Sequence, residues 1–290
     1  MQNANKIAIL LCTYRSAEYL AELLGSLRAQ TFSDFRVFVH DDGSDDGTLD
    51  ILRAWAAEWD RLELLDDPCP GRRAKGSFVW LMEQVESDYY MFCDHDDVWL
   101  PFKIEKSYAE MLACEQRHPG MPVAVNTDLR VVDQDLNVVH PSFWQYNGIC
   151  RPLLSDFGHL AVYNAFTGCA MIFNRAARDL SLPVHPKATM HDKWVALKVA
   201  DAGGCLGYVD EATILYRQHA DNQVGANQVD GKYYFQRILH LRETLRKMRD
   251  SRAMGNAIRP FPWHRFFRYK LSYLIGRCRY KRADSKTARH

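Results

Sequence analysis

The chain of 290 residues is short of several features that would declare a class at once. Its eight cysteines (Cys12, Cys69, Cys93, Cys114, Cys150, Cys169, Cys205 and Cys278) include no C-x-x-C pair. Zinc is therefore unsupported, and a reduced cytosolic setting fits better than a disulfide scaffold. Cys12 and Cys93 lie in apolar runs, where free cysteine acts as a small hydrophobe. No run approaches the roughly 18 apolar residues of a membrane span. The apolar part of "MQNANKIAILLCTYRS" is too short for a signal peptide, so the expectation is a protein made and kept on the cytosolic side. Internal repeats and low-complexity tracts are also missing.

What is present is ordinary in bulk and uneven in detail. An apolar fraction of 47% suits a globular chain with a real core, large enough for one domain or one domain with an appendage. The net charge of +1 hides an asymmetry. Residues 1–231 carry 20 Lys/Arg against 33 Asp/Glu, whereas residues 232–290 carry 17 against 3. The two parts are expected to meet different partners, the tail an anionic one: a membrane or a nucleic acid.

The hydrophobic pattern alternates between strand and helix. "KIAILLCTY" (6–14) reads as a buried strand, and "SAEYLAELLGSLRAQ" (16–30) as a helix with Ser16 as N-cap. "FRVFVHDDGSDDGT" (35–48) is a second strand entering an Asp/Gly turn, followed by helix 49–60 and strand 62–67. "PCPGRRAKGS" reads as a loop, before helix 78–86, strand 89–93 and helix 103–117. This rhythm predicts an α/β fold with a parallel sheet covered by helices on both faces. Ligands bind such sheets at the carboxyl ends of the strands. Three polar clusters lie at those ends: Thr13–Arg15, Asp41–Asp46 and Asp94–Asp97. Any one alone is compatible with a surface turn; their convergence on one edge points to a site.

In order along the chain, "TYR", "HDDGSDDGT", "DHDDVWLPFK", "TGCAMIFNR", "MHDKW" and "LYRQHADNQVG" resemble the motifs of the inverting family-2 glycosyltransferases of the GT-A fold. The match runs over residues 6–225, and "DDVWLPFKIE" with the late "YRQH" is most similar to the rhamnosyltransferase-like branch. The resemblance implies transfer of a sugar, rhamnose or another hexose, from a nucleotide diphosphate donor to an acceptor hydroxyl. That reaction needs charge neutralisation on the leaving diphosphate, a general base, and a nucleotide held for in-line attack.

The resemblance also implies roles. "DHD" (94–96) corresponds to the family's D-x-D, making Asp96 the main ligand of a divalent cation, Mn or Mg, with Asp94 beside the metal and the nucleotide. His219 of "YRQH" stands as the third ligand, and Arg217 is open to a phosphate. Asp97 either orients the donor sugar or caps the helix that begins near Pro101. Asp192 of "MHDKW" is the expected base, with His191 as its rival. Asp42 corresponds to the acid that meets the base of a UDP- or dTDP-sugar, with Thr13, Tyr14 and Arg15 lining the same pocket. Arg72, Arg73 or Lys75 either reaches the diphosphate or belongs to a solvated basic loop. Gly168 is expected to allow close backbone approach on the acceptor side.

The resemblance divides the chain into a glycosyltransferase domain (1–231) and a basic, helical extension (232–290). In "PFPWHRFFRYKLSYLIGRCRYKR" (260–282), Trp263, Phe266, Phe267, Leu271, Leu274, Ile275 and Cys278 form a helical stripe flanked by Arg and Lys. Such a helix suits the surface of an anionic membrane, where a lipid-linked acceptor would sit; it could instead pack its stripe on the main domain. Nucleic acid is disfavoured as a partner, because the body is acidic and no nucleic-acid motif is present. The expected place is thus cytoplasmic and peripheral on the inner face of the cell membrane, in surface polysaccharide or lipopolysaccharide synthesis. Two alternatives are a sugar-nucleotide pyrophosphorylase, for which "LLCTYRSAEYL" lacks the Gly-rich phosphate loop, and an inactive membrane-associated scaffold.

Overall fold

The computed structural model describes residues 6–219, 226 and 239–287. The chain opens β1 (Ile7–Thr13), α1 (Leu20–Arg28), β2 (Phe35–Asp41), α2 (Thr48–Glu58), β3 (Leu62–Leu64), α3 (Arg73–Gln84) and β4 (Tyr89–Cys93). It continues with β5 (Val98–Trp99), α4 (Lys103–Arg117), β6 (Val123–Val132), β7 (Val138–His140), α5 (Phe143–Tyr146) and α6 (Phe157–Val162). Then come β8 (Met171–Asn174), α7 (Arg175–Ser181), α8 (His191–Asp201), β9 (Cys205–Arg217), α9 (Leu241–Ile258) and α10 (Trp263–Thr287).

The strands form one sheet in the order β3-β2-β1-β4-β8-β6-β9-β5, with β7 on the side of β6. The pairs β1–β2, β1–β4, β2–β3 and β6–β9 are parallel. β8 runs antiparallel between β4 and β6, and β5 antiparallel to β9. The sheet is thus mostly parallel and flanked by helices, the α/β arrangement expected of the GT-A fold.

β1 shows how sequence sets this arrangement. All seven of its residues are buried, because in a central parallel strand both pleat faces meet a helix layer. Ile7, Ile9 and Leu11 join the core under α1 and α2, with Leu20, Leu23, Leu24, Leu27 and Leu52. Ala8, Leu10 and Cys12 point to the opposite core, with Phe78 and Leu81 of α3 and Trp194 and Leu197 of α8. The period of two in β1 and the apolar stripe of α1 therefore fix which helix lies on which face.

That second core also takes in the tail. Met254 of α9, Phe261, and Phe266 and Tyr273 of α10 are buried in it, packing on α6 and α8. Burying each aromatic side chain contributes about 1.5–3 kcal/mol, so α10 is held on the main body by one side. The expected stripe is divided. Phe266 faces inward, while Trp263, Phe267, Leu271 and Ile275 remain exposed, between 40% and 59%.

Three local expectations are corrected. α1 begins at Leu20 with Tyr19 at the N-cap; the Ser16 hydroxyl instead accepts the Tyr14 amide at 3.0 Å. α3 begins at Arg73, five residues before the expected helix, since the Asp42 carboxylate supplies the cap that the local sequence does not. Asp97 does not cap α4, whose N-cap is Phe102.

Candidate active site

The carboxyl ends of β1, β2 and β4 lie side by side, so their three polar clusters share one edge. At the end of β1, the Thr13 hydroxyl donates to Asp41 at 2.8 Å. Asp41 also accepts the Ser44 amide and hydroxyl at 2.8 and 2.6 Å, which folds the "DDGS" turn. Asp42 reaches across to the next loop and accepts the amides of Gly71, Arg72 and Arg73 at 2.8, 2.7 and 2.8 Å. Gly71, with φ +93°, supplies the left-handed bend this approach needs.

Two arginines of this region are tied down. Arg15 makes a two-pronged pair with Asp45, 2.8 Å on each side. Arg72 pairs with Asp67, which the buried His40 also contacts at 2.9 Å. Arg72 holds the Asp67 carboxyl well below the usual range. Arg15 and Arg73 sit at φ +49° and +60°, and such left-handed backbone costs on the order of 1–3 kcal/mol. Tyr14 is 49% exposed at the mouth.

The turn after β4 carries Asp94, Asp96 and Asp97. Asp96 and Asp97 are buried. The Asp96 carboxylate lies 2.9 Å from His219 Nε2, joining residues 123 apart in the chain. Arg217, at the end of β9, braces this turn: its amide donates to Asp97 at 3.2 Å and its Nε to the Asp96 carbonyl at 2.9 Å. The rest of its guanidinium reaches the Gln134 carbonyl and the Glu22 carboxylate. Arg217 thus spends its donors inside the protein.

The acidity of the turn is strongly perturbed. Burial, with Asp96 and Asp192 adding like charge, pushes Asp94 up to about 7. Burial and the two neighbouring carboxylates raise Asp97 as well. Beneath them Lys103 is fully buried, its amine 4.4 Å from the Trp99 ring centre and without a hydrogen-bond partner. Burial lowers it to about 8. It is a cation placed under a cluster of carboxylates.

Two groupings here could hold a metal. Asp94, Asp97 and Cys169 bring ligand atoms within 4.8 Å of one another. Burial pushes the Cys169 thiol up, so it is a protonated, soft donor, ill suited to Mg or Mn. Asp96 and His219 offer carboxylate and imidazole at a separation close to the ~3 Å between neighbouring ligands on a small six-coordinate cation. That pair fits Mn, and Asp94 is a second acid in the same turn.

The expected base occupies the first turn of α8. Asp192 is 7% exposed and accepts the Lys193 amide at 2.5 Å. Burial raises it to about 6, against the opposing pull of the Lys193 and Gly168 amides. Gly168 lies so close that an added Cβ would fall 3.7 Å from Asp192 Oδ2 and 3.1 Å from His191 Nε2. His191 is wedged between Phe78 and Phe92, ring centres 4.2 and 4.4 Å away. Burial, helped by the charge of Lys75, lowers it to about 3. The Lys75 amine donates to the Ala188 carbonyl at 2.9 Å, joining α3 to the segment before α8.

The structure therefore gathers Thr13, Asp42, Asp94, Asp96, Asp192 and His219 along one end of the sheet. Residues 220–225 of "HADNQVG" lie outside the described residues. Sequence reasoning missed Lys103, Cys169 and the bracing by Arg217. Of these, only Arg217 carried a signal, as a cation directly beside a candidate ligand.

Residues 8–179 match the family described as Glycosyl transferase family 2. The chain is 26% identical over 236 residues to the dTDP-rhamnosyl transferase RfbG of Shigella flexneri, covering 75% of this chain and 74% of that protein. It spans a smaller part of other curated relatives, 46% of one and 31% of another. Among solved structures, S. aureus TarS in complex with UDP-GlcNAc superposes with a TM-score of 0.57 at 18% identity, over 80% of this chain and 64% of TarS. The mannosyltransferase PcManGT of Pyrobaculum calidifontis, in complex with GDP-Man and Mn2+, gives 0.56 at 18% identity, over 78% and 59%. With residues 8–179, more than half of its length, matched by the family, the chain belongs to glycosyl transferase family 2.

Proposed function

We propose that the chain is an inverting, divalent-cation-dependent glycosyltransferase. It moves rhamnose or another hexose from a dTDP- or UDP-sugar to an acceptor hydroxyl in surface polysaccharide or lipopolysaccharide synthesis. The observation that carries this reading is the buried Asp192 carboxylate, near enough for its charge to raise Asp94, with Asp96 and His219 paired at 2.9 Å. Asp192 takes the acceptor proton as the hydroxyl attacks, and a single displacement by one base inverts the anomeric carbon. Thr13, Tyr14, Arg15 and Asp42 line the nucleotide pocket. Asp42 has committed three acceptor directions to the 71–73 loop, and its remaining direction suits the imide N–H of uracil or thymine. Lys75, whose amine bonds the Ala188 carbonyl in the free protein, is the cation assigned to the diphosphate. Asp94, Asp96 and His219 would hold a Mn or Mg ion, whose charge would neutralise the leaving diphosphate. RfbG, named for a dTDP-rhamnosyl donor, favours the same donor class.

The exposed row Trp263, Phe267, Leu271 and Ile275, flanked by Arg265 and Arg268, supports a peripheral position on the anionic inner face of the membrane. No described helix is long and apolar enough to cross a membrane. The deciding experiment incubates the enzyme and a Mn salt with UDP-, dTDP- and GDP-sugars and an acceptor lipid extract, scoring nucleotide release. Release from a pyrimidine donor, lost in Asp96→Ala, is the expected result; release from GDP-sugars alone would refute the donor assignment.

A further inference from the structure

Away from the nucleotide edge, a cavity of about 500 Å³ opens between α6, α8, α9 and α10, a size within the roughly 300–1,000 Å³ of ligand clefts. Its walls carry Lys193, Arg246, Lys247 and Lys270 against one carboxylate, Asp250. Lys247 is paired with Glu243 at 2.7 Å. Arg246 has no ion pair among the described residues.

Lys193 is the built element. It is 8% exposed, and among the described residues its amine makes no ion pair with a carboxylate. It donates to the Ala161 carbonyl at 3.2 Å and the Ser251 hydroxyl at 2.6 Å. Ser251 passes its own proton to the same carbonyl at 2.6 Å. An ammonium has three donors, so one remains for the cavity that Lys193 lines. Burial disfavours the charge of this amine; the Asp192 carboxylate offsets part of that and Lys270 adds to it, so an anion in the cavity would be favoured by a buried ammonium whose hydrogen bonds go only to neutral oxygens.

The position of this cavity gives it meaning. Lys193 follows Asp192, and one residue along a helix turns the side chain by about 100°. The helix α8 therefore carries the candidate base and the buried amine of the cavity on consecutive residues. On α10, Phe266 and Lys270 line the cavity. The adjacent row, Trp263, Phe267, Leu271 and Ile275, is the exposed apolar one. A molecule with a phosphate in the cavity and a hydrocarbon chain along that row would present its next group toward Asp192.

We propose that the cavity binds the phosphate of a lipid-anchored acceptor, with Lys193, Lys270 and Arg246 as its recognition residues. This rests on the transferase reading only for the word acceptor; binding of the lipid phosphate stands by itself. The test is flotation of the full chain on phosphatidylcholine vesicles carrying either farnesyl phosphate or, at equal surface charge, phosphatidylglycerol. The wild type is expected to favour farnesyl phosphate on the order of tenfold. Lys193→Met should remove that preference, and so should Arg246→Gln combined with Lys270→Gln, which changes only accessible side chains. Calorimetry with UDP or dTDP and Mn on the same preparations reports the fold and the nucleotide site separately. A wild type without the preference, or variants that retain it, would overturn the proposal. Equal competition by inorganic phosphate and soluble farnesyl phosphate would overturn the lipid part, by showing a site for free phosphate. Failure of nucleotide binding in the wild type would refute the transferase reading and leave the flotation result standing.

Discussion

Replacing Asp192 by asparagine should make the protein more stable and almost inactive, and both effects follow from one burial. The carboxyl is raised from 3.8 to about 6 by desolvation. At about 1.36 kcal/mol for each pKa unit, keeping it ionised in the fold costs about 3 kcal/mol. A carboxyl whose folded pKa exceeds its unfolded value binds its proton more tightly when folded. Its protonation therefore supports the fold at low pH, and that support is lost between about pH 4 and pH 6. Asparagine never ionises, but its amide nitrogen cannot accept one of the two backbone N–H groups from Lys193 and Gly168, a loss of about 1 kcal/mol. The net gain near pH 7.5 should be about 2 kcal/mol, read as a higher urea midpoint at unchanged slope, and should vanish by about pH 4. Turnover should fall on the order of 10³-fold. In the wild type kcat/KM should drop about fivefold between pH 6 and pH 5, as the base takes up its proton. Equal stabilities at both pH values, or turnover within tenfold of wild type, would refute the argument that Asp192 is a strained, buried base.

Other perturbations separate the remaining roles. Asp96→Ala and His219→Ala should each abolish the Mn-dependent part of UDP or dTDP binding in calorimetry while leaving the circular dichroism of the fold unchanged. Arg217→Met should lower stability by about 3 kcal/mol in urea denaturation, since it leaves the Asp96 and Gln134 carbonyls and the Glu22 carboxylate without the guanidinium while keeping the amide bond to Asp97. Gly168→Ala should keep the fold at a cost of about 1–3 kcal/mol, but lower kcat by displacing His191 and Asp192. Changing Trp263, Phe267 and Leu271 together to aspartate should release the protein from anionic vesicles with nucleotide binding intact.

The parts of the fold that sequence made visible are those written in short-range period. β1 alternates between two cores, α1 carries one leucine stripe, and α4 begins and ends where its pattern does. The convergence of three polar strand ends was legible because parallel strands send their carboxyl ends to one edge. What stayed hidden was set by distant contacts. The early start of α3 depends on Asp42, about 30 residues upstream, receiving three amides. The inward turn of Arg217 depends on acceptors from Glu22, Asp96 and Gln134. The tail's stripe reads as one face in a helical projection, yet Phe266 is claimed by the core while Trp263, Phe267, Leu271 and Ile275 are left outside. Periodicity names the apolar positions of a helix; only its neighbours decide which are covered.

The contact between Asp96 and His219 has a consequence for assembly. The two side chains meet only when β9, the last strand in chain order, has found its place beside β6 and β5. A nascent or partly unfolded chain would present the acidic turn but not the imidazole, and would grip a cation weakly. Cation affinity would then report a finished sheet. The ion would in turn act as a latch, drawing the equilibrium toward the closed chain by the logarithm of its concentration over its dissociation constant.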